Sequence, residues 1–421
     1  MTEHNFLSRV VTLTRSHLAA AGLAIAVGTL ASCNGNDSTP NLPVIIPVPN
    51  SIAVADVGNG VPDLLVATTA DEGGALNPGY ADIIMNTPGS PGTFQKGVHY
   101  STTGTNPSSI AVGDFTGSGG FDLAIANFGN GSVSVFLHGA TPGTFNAAVD
   151  VPTGGQPNQV VASDLTGTGG RPALVLADMS SSGNVIVLPP DPANPGKFLA
   201  PIKLSTGLTT PSVAVADLTG KGGRPAIVAA TFDSSGNNGA VSVYAPDPNN
   251  AGMFLSPVSF PAGAQPQSVK IADVNGDGLP DIIVADLGPG LDGKGSAGVS
   301  VLLQDATHPG SFLAPVTYPT AGQSIDVAVA DLNNDNKPDL VVVNLLPPGT
   351  GSVSVLLQTS AGAFGPATNY PALGQPLSVA IADLNHDGHP DIAIADGPSA
   401  GVLLQDGASP GTFSPVMQVG F

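Results

Sequence analysis

Tryptophan is absent from this chain, and tyrosine occurs only 5 times in 421 residues. Aromatic platforms on which sugars or bases could stack are therefore scarce. Basic residues are also few, 11 Lys and Arg against 31 Asp and Glu, for a formal net charge of −20. Recognition of a phosphate backbone rests on clustered Lys and Arg, so this balance excludes nucleic acid as a partner. The single cysteine, Cys33, rules out an internal disulfide. Beyond residue 30 no stretch carries the i, i+3, i+4 spacing of an amphipathic helix.

Glycine (55) and proline (40) together make up nearly a quarter of the chain, and charged residues only 10%. Such numbers could suggest disorder, but a hydrophobic fraction of 42% arranged in Val, Ile and Leu runs argues against it. A turn-rich all-β protein fits, with length enough for one large domain or two to three ordinary ones. Excess acid of this kind serves solubility or awaits cations.

Residues 1–17 include Arg9 and Arg15, and an apolar run from Leu18 ends in Leu30-Ala31-Ser32-Cys33. A charged leader, an apolar segment too short for a comfortable span and small residues before a cleavage point form a signal peptide. Leu30-Ala31-Ser32-Cys33 resembles the lipobox of bacterial lipoproteins, in which the cysteine is acylated and becomes the mature amino terminus. The resemblance implies a signal peptide over 1–32, lipidation of Cys33 and a polar, extended linker over 33–50. Acyl chains would tether the protein without spanning the membrane. Asn34 stands where Asp would favour inner-membrane retention, so an outer-membrane envelope lipoprotein is expected. The plainer alternative is an ordinary secretory signal with an incidental cysteine.

An apolar run ending in Asp recurs at Asp56, Asp114, Asp164, Asp217, Asp273, Asp331 and Asp383, with steps of 58, 50, 53, 56, 58 and 52 residues. A second and a third apolar run follow each one, as in Asp339 to Asn344 and Ser352 to Leu357. A fourth opens on Gly-x-Phe, with the phenylalanine at 94, 145, 198, 254, 312, 364 and 413. Four short strands per repeat at this period predict an all-β, seven-bladed β-propeller of four-stranded antiparallel blades. The expected propeller covers 51–421, with blades at about 51–107, 108–158, 159–211, 212–267, 268–325, 326–377 and 378–421. Pro43 to Pro49 reads as a surplus fourth strand, either a clasp on the last blade or, as favoured here, an extended leader.

Between first and second strands lies the stretch Asp273-Val274-Asn275-Gly276-Asp277-Gly278-Leu279-Pro280-Asp281. Oxygen-bearing side chains at positions 1, 3, 5 and 9 around a Gly turn can surround a hard cation. Together with Ser378 to Ile392, this pattern resembles the FG-GAP/VCBS repeat family, seen in integrin α-subunit propellers and bacterial surface proteins. The resemblance covers 51–421 and implies a seven-bladed propeller with Ca2+ in these loops, about three sites in all. Carried over by position, the first set is Asp273, Asn275, Asp277 and Asp281 with the Leu279 carbonyl. The second is Asp331, Asn333, Asp335 and Asp339 with the Lys337 carbonyl, Asn336 replacing Gly because Asn tolerates left-handed angles. The third is Asp383, Asn385, Asp387 and Asp391 with the His389 carbonyl. Asx-turns that merely cap hairpins are the competing reading.

The remaining loops depart from the pattern. Asp114, Thr116, Ser118 and Asp122 keep the spacing with one carboxylate fewer, a weak site. Asp56 to Asp63 is one residue short. In blades three and four Ala173 and Ala226 replace the closing Asp, and Arg171 and Arg224 are expected to place a guanidinium beside Asp164 and Asp217 in lieu of a cation.

No catalytic constellation is identifiable. His4 and His17 leave with the signal peptide, His99, His138 and His308 stand alone, and His386 and His389 read as solvated loop residues. Long segments at Thr69 to Asp82, Asp233 to Ala240 and Leu287 to Gly298 are candidate binding inserts or plain surface turns. The expectation is a monomeric, non-catalytic, calcium-stabilised binding or adhesion module, meeting a protein or glycan ligand at the cell envelope and touching the membrane by its lipid anchor only. A polysaccharide-active hydrolase or lyase on a propeller scaffold and a purely structural envelope protein are the alternatives.

Overall fold

The computed structural model describes residues 47–70, 78–236, 239–288, 297–346, 349–397 and 399–420. The expected signal peptide, Cys33 and the linker as far as residue 46 lie outside the described residues, as do 71–77 and 289–296 of two candidate inserts.

Seven four-stranded antiparallel sheets form the blades of a propeller, each from four strands in sequence order, with a small separate hairpin between the third and fourth strands of blade six. By their outermost strands they span 47–105, 107–152, 157–205, 209–261, 266–319, 323–371 and 376–419. The second and third strands of each blade are apolar on both faces because both faces meet a neighbouring blade. In blade five, Asp281–Asp286 and Gly298–Leu302 are buried throughout, whereas the outer Val316–Pro319 is mostly exposed. Seven hydrophobic clusters result, one between each pair of neighbours, such as Val274, Ile283 and Val301 of blade five against Leu340, Val342 and Leu356 of blade six.

The ring closes by packing. The fourth strand of blade seven is Met417–Val419 from the carboxyl end, and Pro47 to Pro49 pair with Ala70 to Thr68 as the start of blade one's own first strand. The described part of the surplus segment is therefore neither clasp nor leader. Ile52, Leu64 and Val66 pack on Ala393, Ala395 and Val402 across this seam, and Asn86 Nδ2 donates to the Leu384 carbonyl at 2.7 Å.

A bulge interrupts the pairing of first and second strands in all seven blades. A bulge re-aims a side chain, and here Asn50, Ser108 and Asn158 each donate to the proline carbonyl that opens the next blade's first strand or lies within it, at 2.7, 3.0 and 2.7 Å.

Contrary to the expectation from sequence, the Gly-x-Phe phenylalanines do not open the fourth strand. They sit earlier, in the connection from third to fourth strand, bridged to residues such as Gln304 and Gln405, or in a small hairpin at Phe364. From there each packs on the preceding blade: Phe145 on Tyr100, Phe312 on Phe260, Phe364 on Tyr318 and Phe413 on Tyr370, all edge to face.

Candidate metal centre

All seven Asp loops join a first to a second strand, so they share one face of the ring with the third-to-fourth connections. Six of them wind through two left-handed residues at positions 4 and 6, as at Gly276 and Gly278, Asn334 and Asn336, and His386 and Gly388, while in the shorter blade-one loop these are Gly58 and Gly60, at positions 3 and 5. In blade five the Asp273 carboxylate accepts Gly276 N at 2.7 Å and Gly278 N at 2.8 Å, while Asp277 Oδ1 accepts Leu279 N at 2.8 Å. Asp331 and Asp335 in blade six, and Asp383 and Asp387 in blade seven, hold their loops in the same way, with Asn333 and Asn385 accepting the position-5 N–H at 3.0 Å.

The closing aspartates play another part. Asp281, Asp339 and Asp391 are fully buried beneath their loops. One oxygen of each accepts the position-2 N–H (Val274, Leu332, Leu384, all at 2.9 Å), and the other accepts the N–H of the second residue past the third strand (Gln304 and Gln358 at 2.7 Å, Gln405 at 2.8 Å). Those glutamines extend the network, Gln358 reaching Val274 O of the preceding blade at 2.6 Å. Burial pushes the Asp281 and Asp391 carboxyls up to about 6, and neighbouring loop carboxylates push the same way. Asp339 is raised for the same two reasons.

Among the described residues no three His, Cys, Asp or Glu side chains converge as a metal cluster. Each loop instead offers two upper carboxylates, an Asn amide oxygen and a backbone carbonyl above one buried carboxylate. That all-oxygen donor set suits Ca2+, and the negative field felt by Asp281 and Asp391 favours a cation above them.

The other four loops satisfy their leading Asp from the backbone. Asp164 accepts N–H groups of Thr166, Gly169 and Gly170, and Asp217 those of Thr219, Lys221 and Gly223. Although burial opposes it, the Thr166 and Thr219 hydroxyls together with these backbone bonds hold the two carboxyls below the usual range. Arg171 does not pair with Asp164, contrary to expectation. It donates to the carbonyls of Asp191 and Pro192 at 2.9 and 3.1 Å, and Arg224 exerts its charge on Asp247. In blade two Asp114 is likewise ringed by Gly117, Ser118 and Gly119 N–H groups. There the buried Asp122 holds His138 Nδ1 at 2.7 Å, and His138 Nε2 lies 3.2 Å from Ser118 Oγ. In blade one Asp56 accepts Gly58, Asn59 and Gly60 N–H groups.

Where the closing Asp is missing, its partner is missing too. Blades three and four carry Ala173 and Ala226, and the second residues past their third strands are Pro190 and Pro246, which have no N–H to satisfy. Sequence reading noted the alanines but not this trade, because the partner stands outside the loop. The three histidines that stand alone in the sequence are all partnered: His138 by Asp122, His99 by the buried Asp82, itself bonded to Thr68, and His308 by Asp305 at 2.9 Å. The candidate inserts are all second-to-third connections, on the face opposite the Asp loops.

Among known families, the FG-GAP-like repeat matches residues 223–284, 290–342 and 342–394. No curated protein matches the chain. Among solved structures, a proposed 6-phosphogluconolactonase from Bacteroides uniformis superposes with TM-score 0.57 at 14% identity, covering 89% of this chain and 97% of that one. A second, from Bacteroides fragilis, gives 0.54 at 15%, covering 91% and 98%. A Lactobacillus plantarum protein gives 0.53 at 13%, covering 81% and 91%. At these identities the likeness is one of fold.

Proposed function

We propose, for a chain that carries FG-GAP-like repeats on a seven-bladed propeller, that it is a calcium-stabilised, non-catalytic binding or adhesion module of the bacterial envelope. The supporting observation is the adjacency of three loops, in blades five, six and seven, that share one winding and one oxygen donor set. Asp273, Asn275, Asp277 and the Leu279 carbonyl would hold Ca2+ in the first, with their counterparts in the next two. A bound cation would offset the mutual repulsion of each loop's carboxylates. The chain's own part is to hold the closing Asp on two backbone N–H groups, so that the loop is shaped before the ion arrives. Acylation of Cys33 would keep the ring at the membrane surface, with a protein or glycan as the ligand.

The test is calorimetric unfolding of the full chain in Ca2+ and in EDTA. At a hundredfold excess over Kd each site adds about 2.7 kcal/mol, so a rise in Tm of several degrees is expected. The triple variant Asp277→Ala, Asp335→Ala, Asp387→Ala should keep its EDTA Tm and lose the rise. An unchanged Tm in the wild type would sink the calcium reading. A glycan and envelope-polymer array, run with and without Ca2+, tests the binding role.

A hydrolase or lyase is the competing reading, and one feature favours it: His99 is held through Nδ1 by a buried carboxylate and remains 44% exposed. Turnover of an envelope polysaccharide that His99→Gln abolishes would establish it.

A further inference from the structure

We propose that the central channel binds a short aliphatic carboxylate, recognised by Lys270. The seven innermost strands contain only two charged residues in their described lengths, Lys270 and Asp326. Around them the lining is small and neutral, and Ser51, Ser109, Gln159 and Ser212 each accept an N–H from the next blade's first strand. Between the first strands of blades three to six lies a cavity of about 380 Å³. Its walls include Val213, Val215, Val269, Ile271 and Val329, and Lys270 is its one charged lining group among the described residues.

The disposition of the pair decides what the ammonium can do. Asp326 is almost wholly buried and accepts Ser268 Oγ at 2.6 Å, Val327 N at 3.0 Å, and Ser378 Oγ and Val379 N at 3.1 Å. Four donors other than Lys270 thus meet its charge. Lys270 Nζ stands 3.4 Å from Asp326 Oδ1, beyond a short ion-pair contact, and its side chain is 32% exposed. An ammonium carries three donors, so after the contact with Asp326 it can still turn N–H groups into the cavity. A pocket with aliphatic walls, one cation and a single other polar side chain, Gln159, suits a ligand with an anionic head and an aliphatic body.

Titration of the full chain with hexanoate by isothermal calorimetry tests this, with hexan-1-ol as the uncharged control and inorganic phosphate as the anion without a tail. Hexanoate should bind, and both controls should bind at least about tenfold more weakly, the scale of one hydrogen bond to a charged group. Lys270→Met should lose hexanoate binding by a similar factor. Ala328→Leu, which narrows the cavity and keeps the lysine, should lose it independently. Retained binding in a folded Lys270→Met protein, equal binding of hexan-1-ol, or no binding by the wild type would each overturn the proposal.

Discussion

The carboxyl of Asp286 ends the second strand of blade five, at a position taken in other blades by Thr68, Asn127, Asp178, Thr231, Asn344 and Asp396. All seven side chains are buried. What separates the three acids is hydrogen bonding. Asp178 accepts Gln156 N at 2.7 Å, Ser180 N and Asn184 Nδ2, which outweigh its burial and hold its carboxyl below the usual range. Asp396 accepts Leu373 N and Gly374 N at 2.6 and 2.9 Å and is still raised by burial. Among the described residues Asp286 has only the nearby Ser300 hydroxyl, which makes no well-formed bond to it and is engaged with Thr317, so burial prevails and pushes its carboxyl up to about 8. The folded protein thus keeps a proton that the unfolded chain loses near 3.8. Between those values the unfolded state binds fewer protons, so stability falls as pH rises, by about 1.4 kcal/mol per unit. Asp286→Asn should remove that slope, with a denaturation midpoint little changed at pH 4 and higher than wild type at pH 8. Equal slopes in the two proteins would show that Asp286 is ionised when folded.

At the scale of the loop, the closing Asp supports the fold more than the exposed acids do. Asp391→Ala leaves two buried N–H groups without a partner, at about 1–3 kcal/mol each. Asp387→Ala, at an exposed position, should change stability in EDTA by less than about 0.5 kcal/mol. Chemical denaturation of the two variants separates the roles. The proline trade gives a sharper test in blade three. Ala173→Asp alone buries a carboxylate with one acceptor oxygen unused, and Pro190→Ala alone exposes an unpaired N–H. The double variant should be more stable than the sum of the two single changes, the sign of a direct interaction.

Much of this element was legible in the sequence. The Gly at position 6 announced its left-handed turn, and Asn336 takes it at φ 62°. Position 4 was not legible, since His386 there, at φ 57°, looks like an ordinary solvated residue. Nor was the role of Gln405, because nothing local ties it to an Asp on another strand. Gly-x-Phe was recognised but placed one segment late, since its phenylalanine is apolar for the preceding blade's sake rather than for its own strand.

At the scale of the molecule the period of the Asp runs announced seven blades, and seven are present. The count of strands misled at one end only, because Pro47 to Pro49 look like a strand and are one, but of the first position rather than the fourth. Prolines within a strand read as an edge, and the first strand is the edge of its blade nearest the channel, paired only with the second. The seam between blades seven and one has the same kind of apolar cluster as the other six junctions. Asn86→Ala should remove its bond to Leu384 O and raise the unfolding rate severalfold, measurable by stopped-flow denaturation, since an unmade hydrogen bond of this kind is worth about 1–3 kcal/mol.

Because among the described residues no strand is exchanged across that seam, the ring is a chain of seven self-contained sheets rather than a buckled belt. Drawn apart by its two ends, it would part first between blades, where no strand ladder holds. Each blade would then peel from its neighbour as a discrete step of fifty-odd residues, giving the sawtooth extension of a tether that yields in stages.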